Sequence, residues 1–326
     1  MPRIWIPRRH RASLTIGVSD NLKLSPLDQT ILDRLRSEAQ DHGMSNIATL
    51  AAPRASTVTI EPTGEAFGAI VHGIEWDEPD EATVFEITRA LRRHLLLVFR
   101  GQESPSHDQL DTFFRRFGRL MSETYDGSFH YSTFSADEAE QIHRTDHFNY
   151  VVNTDDGQTE LVWHCDHFQR PQYKVLSVLE AIEFGQGAVP TMFRDMYTAY
   201  EMLPLEKRGP LEHKQTVNLD PRKRDLTKWP RLADSMHPVF ASHPHSGRRT
   251  LYVNEFTHRI AGMPMEESDA AIADLLAHAE RTAPVYTHKW QVGDICIWDN
   301  VGLQHRRDAM ESGVPRRLRV YEGVAE

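Results

Sequence analysis

The sequence predicts a mostly β fold, a barrel or sandwich core with flanking helices, and three observations lead there. Strand signals recur through the second half: ELVWHCDHF, YKVLSVLEAIEF, TMFRDM, RTLYVNEF, DICIWDN and RRLRVYEGV. Only two helical stretches interrupt them, 197–204 and 267–281, too few for the regular alternation of a parallel doubly wound sheet. The composition is 40% hydrophobic and 26% charged over 326 residues, which suits one large globular domain.

Taken in order, residues 1–55 read as an N-terminal extension carrying one helix. Its first twenty residues are basic, and Pro2 and Pro7 interrupt the amphipathic helix that a transit peptide needs. SPLDQTILDRLRSEAQDH reads as an exposed helix ending at Gly43. TVTIEPTGEAFGAIVHGI alternates between apolar and polar and carries turn glycines, a hairpin signature. A helix is expected over 79–94, then a buried strand in HLLLVFRG. SHDQLDTFFRRFG follows as an amphipathic helix opened by Ser106 and closed by Gly118. Between Leu120 and Trp163 the pattern is irregular and rich in aromatics, His, Asp and Thr. An insert of that length, about 121–162, reads as a lid or binding loop. The remainder, 56–326, is expected to form a single domain.

Composition excludes several roles. A formal charge of −10 lacks the basic face that a nucleic-acid backbone binder requires. No apolar run approaches the roughly 20 residues of a membrane span. With only Cys165 and Cys296 there is no disulfide framework, which suits a reducing, cytoplasmic setting.

The chemistry concentrates in WHCDHF, 163–168. On a strand, alternate residues share a face, so His164 and Asp166 are expected to project together, with Cys165 and His167 opposite. A third group stands far downstream in WDNVGLQHRRD, where His305 is expected at a strand end. Two histidines and one carboxylate that leave coordination positions open form the facial triad of non-haem Fe(II) oxygenases. The plain alternative is a polar strand edge, since eighteen histidines make chance pairs common. Two further features favour the metal. Thr191 supplies a hydroxyl and PRRLR, 315–319, supplies arginines, as the far carboxylate of an iron-chelating keto acid would want.

At this point the chain resembles the taurine/α-ketoglutarate dioxygenase (TauD/TfdA) family. FGAIVHGI, HLLLVFRGQ, FFRRFGRL, WHCDHF, TMFRDMYTAYEMLP, SGRRTLYVNEFTHRIAGM and WQVGDICIWDNVGLQHRRD occur in the family's order. The resemblance runs from about residue 57 to the end. It implies a double-stranded β-helix (jelly-roll) core, His164, Asp166 and His305 as iron ligands, and Thr191 as a contact to 2-oxoglutarate. Of the arginines, spacing from His305 favours Arg316 as the oxoglutarate clamp. Aligning the strand makes Arg319 the later, substrate-facing one, and Arg317 stays open. The implied reaction uses Fe(II), 2-oxoglutarate and O2, releases succinate and CO2, and oxidises a C–H bond of a small molecule. Because Asp166 keeps its carboxylate, hydroxylation is expected ahead of halogenation.

Two departures fall where substrate should sit. GAVPT, 187–191, replaces the family's Gly-Gly-Asp-Thr, and the insert before Trp163 is longer. Familiar specificities are therefore not carried over, and a small organic acid or amino-acid-like metabolite is expected. Candidate substrate contacts are His130, Tyr131 and His167, with Phe129, Phe134, Phe148 and Tyr150 as apolar lining and Arg170 and Arg194 as further cations. A loop packing its own side chains explains the aromatics equally well. A non-catalytic sensor of 2-oxoglutarate or iron on the same barrel is the alternative function, and a homo-oligomer is left open.

Overall fold

The structure, a computed structural model, describes residues 58–77, 79–118, 148–152, 160–218, 235–311 and 313–321, with backbone alone at 148–152. All fall in one unit of the chain, Ile47–Glu326. The predicted extension helix at 26–43, and His130 and Tyr131, lie outside the described residues.

The predicted hairpin is β1 (Thr59–Pro62) and β2 (Ala69–His72), paired antiparallel. Helix α1 (Glu81–His94) starts where the Asp80 side chain accepts from the Thr83 N–H, satisfying one orphan donor of its first turn. It stops at Leu95 in the left-handed region, and β3 (Leu96–Phe99) follows, buried at every position. Helix α2 (His107–Phe114) opens with the Ser106/Gln109 capping box.

The insert is less irregular than its sequence suggests, because β4 (Phe148–Val152) is a strand. Its FNYVV sequence has the β-branched and aromatic character that strands favour. Strands β5 (Leu161–His164), β6 (Leu176–Phe184) and β7 (Thr191–Asp195) come next. After them stand the short helices α3 (Met196–Met202) and α4 (Leu205–Arg208). Five short strands follow: β8 (Gln215–Asn218), β9 (Ser235–Pro238), β10 (Phe240–Ser242), β11 (Arg249–Leu251) and β12 (Thr257–Ile260). Helix α5 (Met265–Thr282) then leads to β13 (Val285–His288), β14 (Ile295–Asp299), β15 (Leu303–Arg307) and β16 (Arg316–Tyr321).

Two sheets form the jelly roll. The larger runs β1-β2-β3-β14-β6-β16-β4, the smaller β13-β7-β15-β5. Strand alternation sorts the side chains between layers. Leu96, Val98, Cys296, Trp298, Leu179 and Leu318 meet Phe193, Tyr286 and Leu303 between the sheets. On the other face, Leu97, Phe99, Ile295 and Ile297 pack with Val84, Ile87 and Leu91 of α1 and Leu110, Phe113 and Phe114 of α2. A separate cluster joins α3 and α5 to β11 and β12 through Met196, Leu251, Ile260, Ile272 and Leu275. Among the described residues no helix is long and apolar enough to cross a membrane.

Candidate active site

Strand β15 lies between β7 and β5 and places His305 directly opposite His164 on one side and Phe193 on the other. The expectation of a strand end is corrected here. The Asn300–Gly302 turn reverses the chain, and His305 is the middle residue of its own strand. Its ring is held by packing, 5.1 Å from Trp298 edge to face and 6.0 Å from Phe193. The His164 ring stands 4.2 Å from it. In His164, Nδ1 bonds the Val162 carbonyl at 2.8 Å, which fixes the tautomer and turns the Nε2 lone pair towards His305.

Asp166 reaches the same point by another route than the expected one. β5 ends at His164, and Asp166 opens a turn, so strand alternation does not orient it. Asn300 does. Its Oδ1 accepts from the Asp166 N–H at 2.9 Å, and its Nδ2 donates to the carbonyls of Asp166 at 3.0 Å and Lys174 at 2.9 Å. The Ser177 hydroxyl donates to Asp166 Oδ2 at 2.6 Å, and the buried Lys174 ammonium lies 3.6 Å from the same oxygen. Oδ1 is left 3.6 Å from His305 Nε2 and 3.9 Å from His164 Nε2. Next in the turn, His167 takes a left-handed backbone, φ 56°, which is uncommon for a residue with a Cβ.

Burial pushes both imidazoles down, His305 to about 3, with the neighbouring His164 ring adding to it. Both are therefore neutral near pH 7. Burial alone would raise the Asp166 carboxyl. The Lys174 ammonium, the two imidazoles and the Ser177 hydroxyl outweigh it and hold Asp166 well below the usual carboxylate range. Two neutral imidazoles and an ionised carboxylate, with ligand atoms within 4.8 Å of one another, are the donor set that a divalent first-row metal takes on one face.

Thr191 shares a face of β7 with Phe193, two residues or roughly 7 Å along the strand. Arg316 meets it from the larger sheet, its Nη2 donating to Thr191 Oγ1 at 3.3 Å. The guanidinium is buried over the Phe184 ring at 5.4 Å. Its Nε has no hydrogen-bond partner among the described residues. Burial, assisted by Arg307, pulls Arg316 down to about 10, so it stays charged at neutral pH.

Alternation along β16 separates the arginines. Arg316 and Leu318 face between the sheets, while Arg317 and Arg319 share the other face. Arg319 binds Glu180 through Nε at 2.7 Å and the Pro105 carbonyl through Nη2 at 3.1 Å. The expected role for Arg319 at the oxoglutarate or substrate is thus not met by its position. Arg194 is likewise turned outwards, bonded to Gln304 at 2.6 Å and Glu280 at 3.3 Å and lying over the Trp163 ring. Sequence reasoning missed Asn300, Ser177 and Lys174. Only Asn300 left a usable signal, an amide in the turn that precedes His305.

Compared with known proteins, the sequence matches the family described as "Taurine catabolism dioxygenase TauD, TfdA family" over residues 59–321. It is 30% identical over 305 residues to pentalenolactone F synthase of Streptomyces avermitilis, covering 84% of this chain and 97% of that protein. It is 30% identical over 278 residues to the alpha-ketoglutarate-dependent 2,4-dichlorophenoxyacetate dioxygenase of Cupriavidus pinatubonensis, covering 81% and 96%. The solved structure of AAD-2 in complex with Mn(II) and N-oxalylglycine superposes with a TM-score of 0.66 at 24% identity, covering 82% of this chain and 97% of that one. That likeness concerns the fold.

Proposed function

From a chain that belongs to the TauD/TfdA family, and so is a 2-oxoglutarate-dependent dioxygenase, we propose an Fe(II)-dependent enzyme that hydroxylates a C–H bond of a small organic acid or amino-acid-like metabolite. The observation that carries the reading is the convergence of His164, Asp166 and His305 beside a pair of donors on Thr191 and Arg316. These three ligands would hold Fe(II). When bound, the metal supplies the redox chemistry that couples decarboxylation of the keto acid by O2 to oxidation of the substrate.

The protein's part is positioning. Ser177 and Lys174 occupy Asp166 Oδ2, so Oδ1 is the oxygen offered to the metal. The Val162 carbonyl keeps His164 Nε2 free of its proton. Arg316 and Thr191 take the far carboxylate of 2-oxoglutarate, whose oxygens only accept hydrogen bonds, as a charged planar donor beside a hydroxyl would. Phe193 and Trp298 wall His305 from water. His130, Tyr131 and His167 remain proposed substrate contacts.

Relatives whose names state an activity, such as "Alpha-ketoglutarate-dependent sulfate ester dioxygenase" from Pseudomonas putida, favour catalysis over the sensor alternative. A single catalytic domain over 56–326 is part of the proposal, supported by the extent of the family match. So is a cytoplasmic location, supported by two free buried thiols. The test is succinate release from 2-oxoglutarate across a panel of small acids. A substrate raises the rate above the uncoupled background, and a flat panel counts against the proposed substrate class.

A further inference from the structure

Thr191 is tied to Trp290, which opens the WQVGDICIWDNVGLQHRRD stretch but to which the resemblance gives no role. The Trp290 indole N–H donates to Thr191 Oγ1 at 2.9 Å, and Arg316 Nη2 donates to the same oxygen. A threonine hydroxyl has two acceptor lone pairs and one proton, whereas indole and guanidinium groups are donors only. With both lone pairs engaged, the hydroxyl must point its proton elsewhere, and it has no acceptor among the described residues. We propose that Trp290 is a positioning residue for the co-substrate: its N–H locks the Thr191 hydroxyl as a donor aimed at the far carboxylate of 2-oxoglutarate.

This rests on the reading of Thr191 and Arg316 as the carboxylate grip and adds what orients them. Without the indole, the hydroxyl rotor is free to turn a lone pair towards the incoming carboxylate, an acceptor facing an acceptor. Trp290 also supports the second member of the grip. Its ring stacks on Phe184 at 5.8 Å, and Phe184 carries the Arg316 guanidinium.

The indole is itself held firmly. Its ring meets His288 edge to face at 4.4 Å, and His288 Nε2 lies 3.1 Å from Asp294 Oδ2. Asp294 also accepts from Arg100 through two bonds of 2.8 and 2.5 Å and from the Gln291 N–H at 2.8 Å. The 289–294 loop is therefore pinned to His288 of β13 and to Arg100 just after β3, and the indole has a fixed seat from which to donate.

The experiment is calorimetric titration of Mn(II)-loaded protein with 2-oxoglutarate and with 2-oxopentanoate, which lacks the far carboxylate. Trp290→Phe should raise the Kd for 2-oxoglutarate about five- to tenfold, less than the full worth of a hydrogen bond to a charged group because the hydroxyl is misdirected and not removed. It should leave 2-oxopentanoate nearly unchanged. In a Thr191→Val background it should add almost nothing, because the hydroxyl it orients is gone. Should the phenylalanine variant not fold, 3-benzothienylalanine at position 290 replaces only the ring N–H by sulfur and makes the same comparison. Equal weakening for both keto acids, an unchanged Kd for 2-oxoglutarate, or full additivity with Thr191→Val overturns the role of Trp290. Should Thr191→Val and Arg316→Ala both leave 2-oxoglutarate binding untouched, the carboxylate grip itself fails, a distinct result.

Discussion

Replacing Asn300 by aspartate changes one amide NH2 into an oxygen and little else in size, yet it should damage the metal site severely. Asn300 is fully buried and makes three side-chain bonds, accepting from the Asp166 N–H and donating to the Asp166 and Lys174 carbonyls. The first survives in Asn300→Asp. The other two become acceptor facing acceptor, each costing about 1–3 kcal/mol, so the loss is about 4 kcal/mol, a large share of the roughly 5–15 kcal/mol of a typical domain. The Asp166 turn keeps only one of its two ties to residue 300, so Mn(II) affinity should fall at least about tenfold. The sign with pH follows from burial. An aspartate facing two carbonyls has its pKa raised above the unfolded value, and its protonated form can donate to one of them. The variant's deficit against the parent should therefore be smaller near pH 5 and grow as pH rises. Urea unfolding at both pH values, with Mn(II) titration followed by electron paramagnetic resonance, reads all three quantities. A variant within about 1 kcal/mol of the parent, with unchanged metal affinity, would rule out this role for Asn300.

Three further outcomes are expected. Because burial pulls His305 down to about 3 and lowers His164 as well, protons should not compete with the metal at neutrality, and Mn(II) affinity measured from about pH 7 to 8 should be flat; a steep decline between pH 8 and pH 7 contradicts this. At Gly302 a Cβ would overlap the Tyr197 ring, and that ring is fixed by a 2.6 Å bond to Asp299. Gly302→Ala should cost about 3 kcal/mol in thermal unfolding, and combining it with Tyr197→Ala should cost less than the sum of the two single changes. Arg316→Ala should raise the Kd for 2-oxoglutarate about 10- to 100-fold, while Arg319→Ala should leave it near the parent value in the same calorimetric titration.

How much of this could be read in advance depended on whether local order or tertiary pairing decided the outcome. The capping residue Ser106 announced its helix, and the apolar run of β3 announced a buried strand. His164, Asp166 and His305 were recognisable by residue type, although the geometric reason expected for Asp166 was wrong. A turn held by a side chain 134 residues away replaces strand alternation, and no local pattern encodes that tie. Strand β4 was hidden for a similar reason, since five residues in a polar insert become a strand by pairing with β16. The arginines remained ambiguous because a spacing count cannot show which face of β16 looks between the sheets. Register separates their faces: Leu318 pairs with Ala181 and Arg317 with Glu183, leaving Ile182 as an extra residue on β6. That bulge lets Phe184 turn inwards beneath Arg316.

The proposed centre holds one metal on His164, Asp166 and His305 with room beside it for a chelating keto acid. Anaerobic titration of Fe(II) and 2-oxoglutarate into the protein, read by visible absorption, tests it most directly. The parent should develop the weak metal-to-keto-acid charge-transfer band at one equivalent, and His164→Ala, Asp166→Ala and His305→Ala should each lack it while remaining folded. A parent without the band, or any of the three variants with a full one, would contradict the claim.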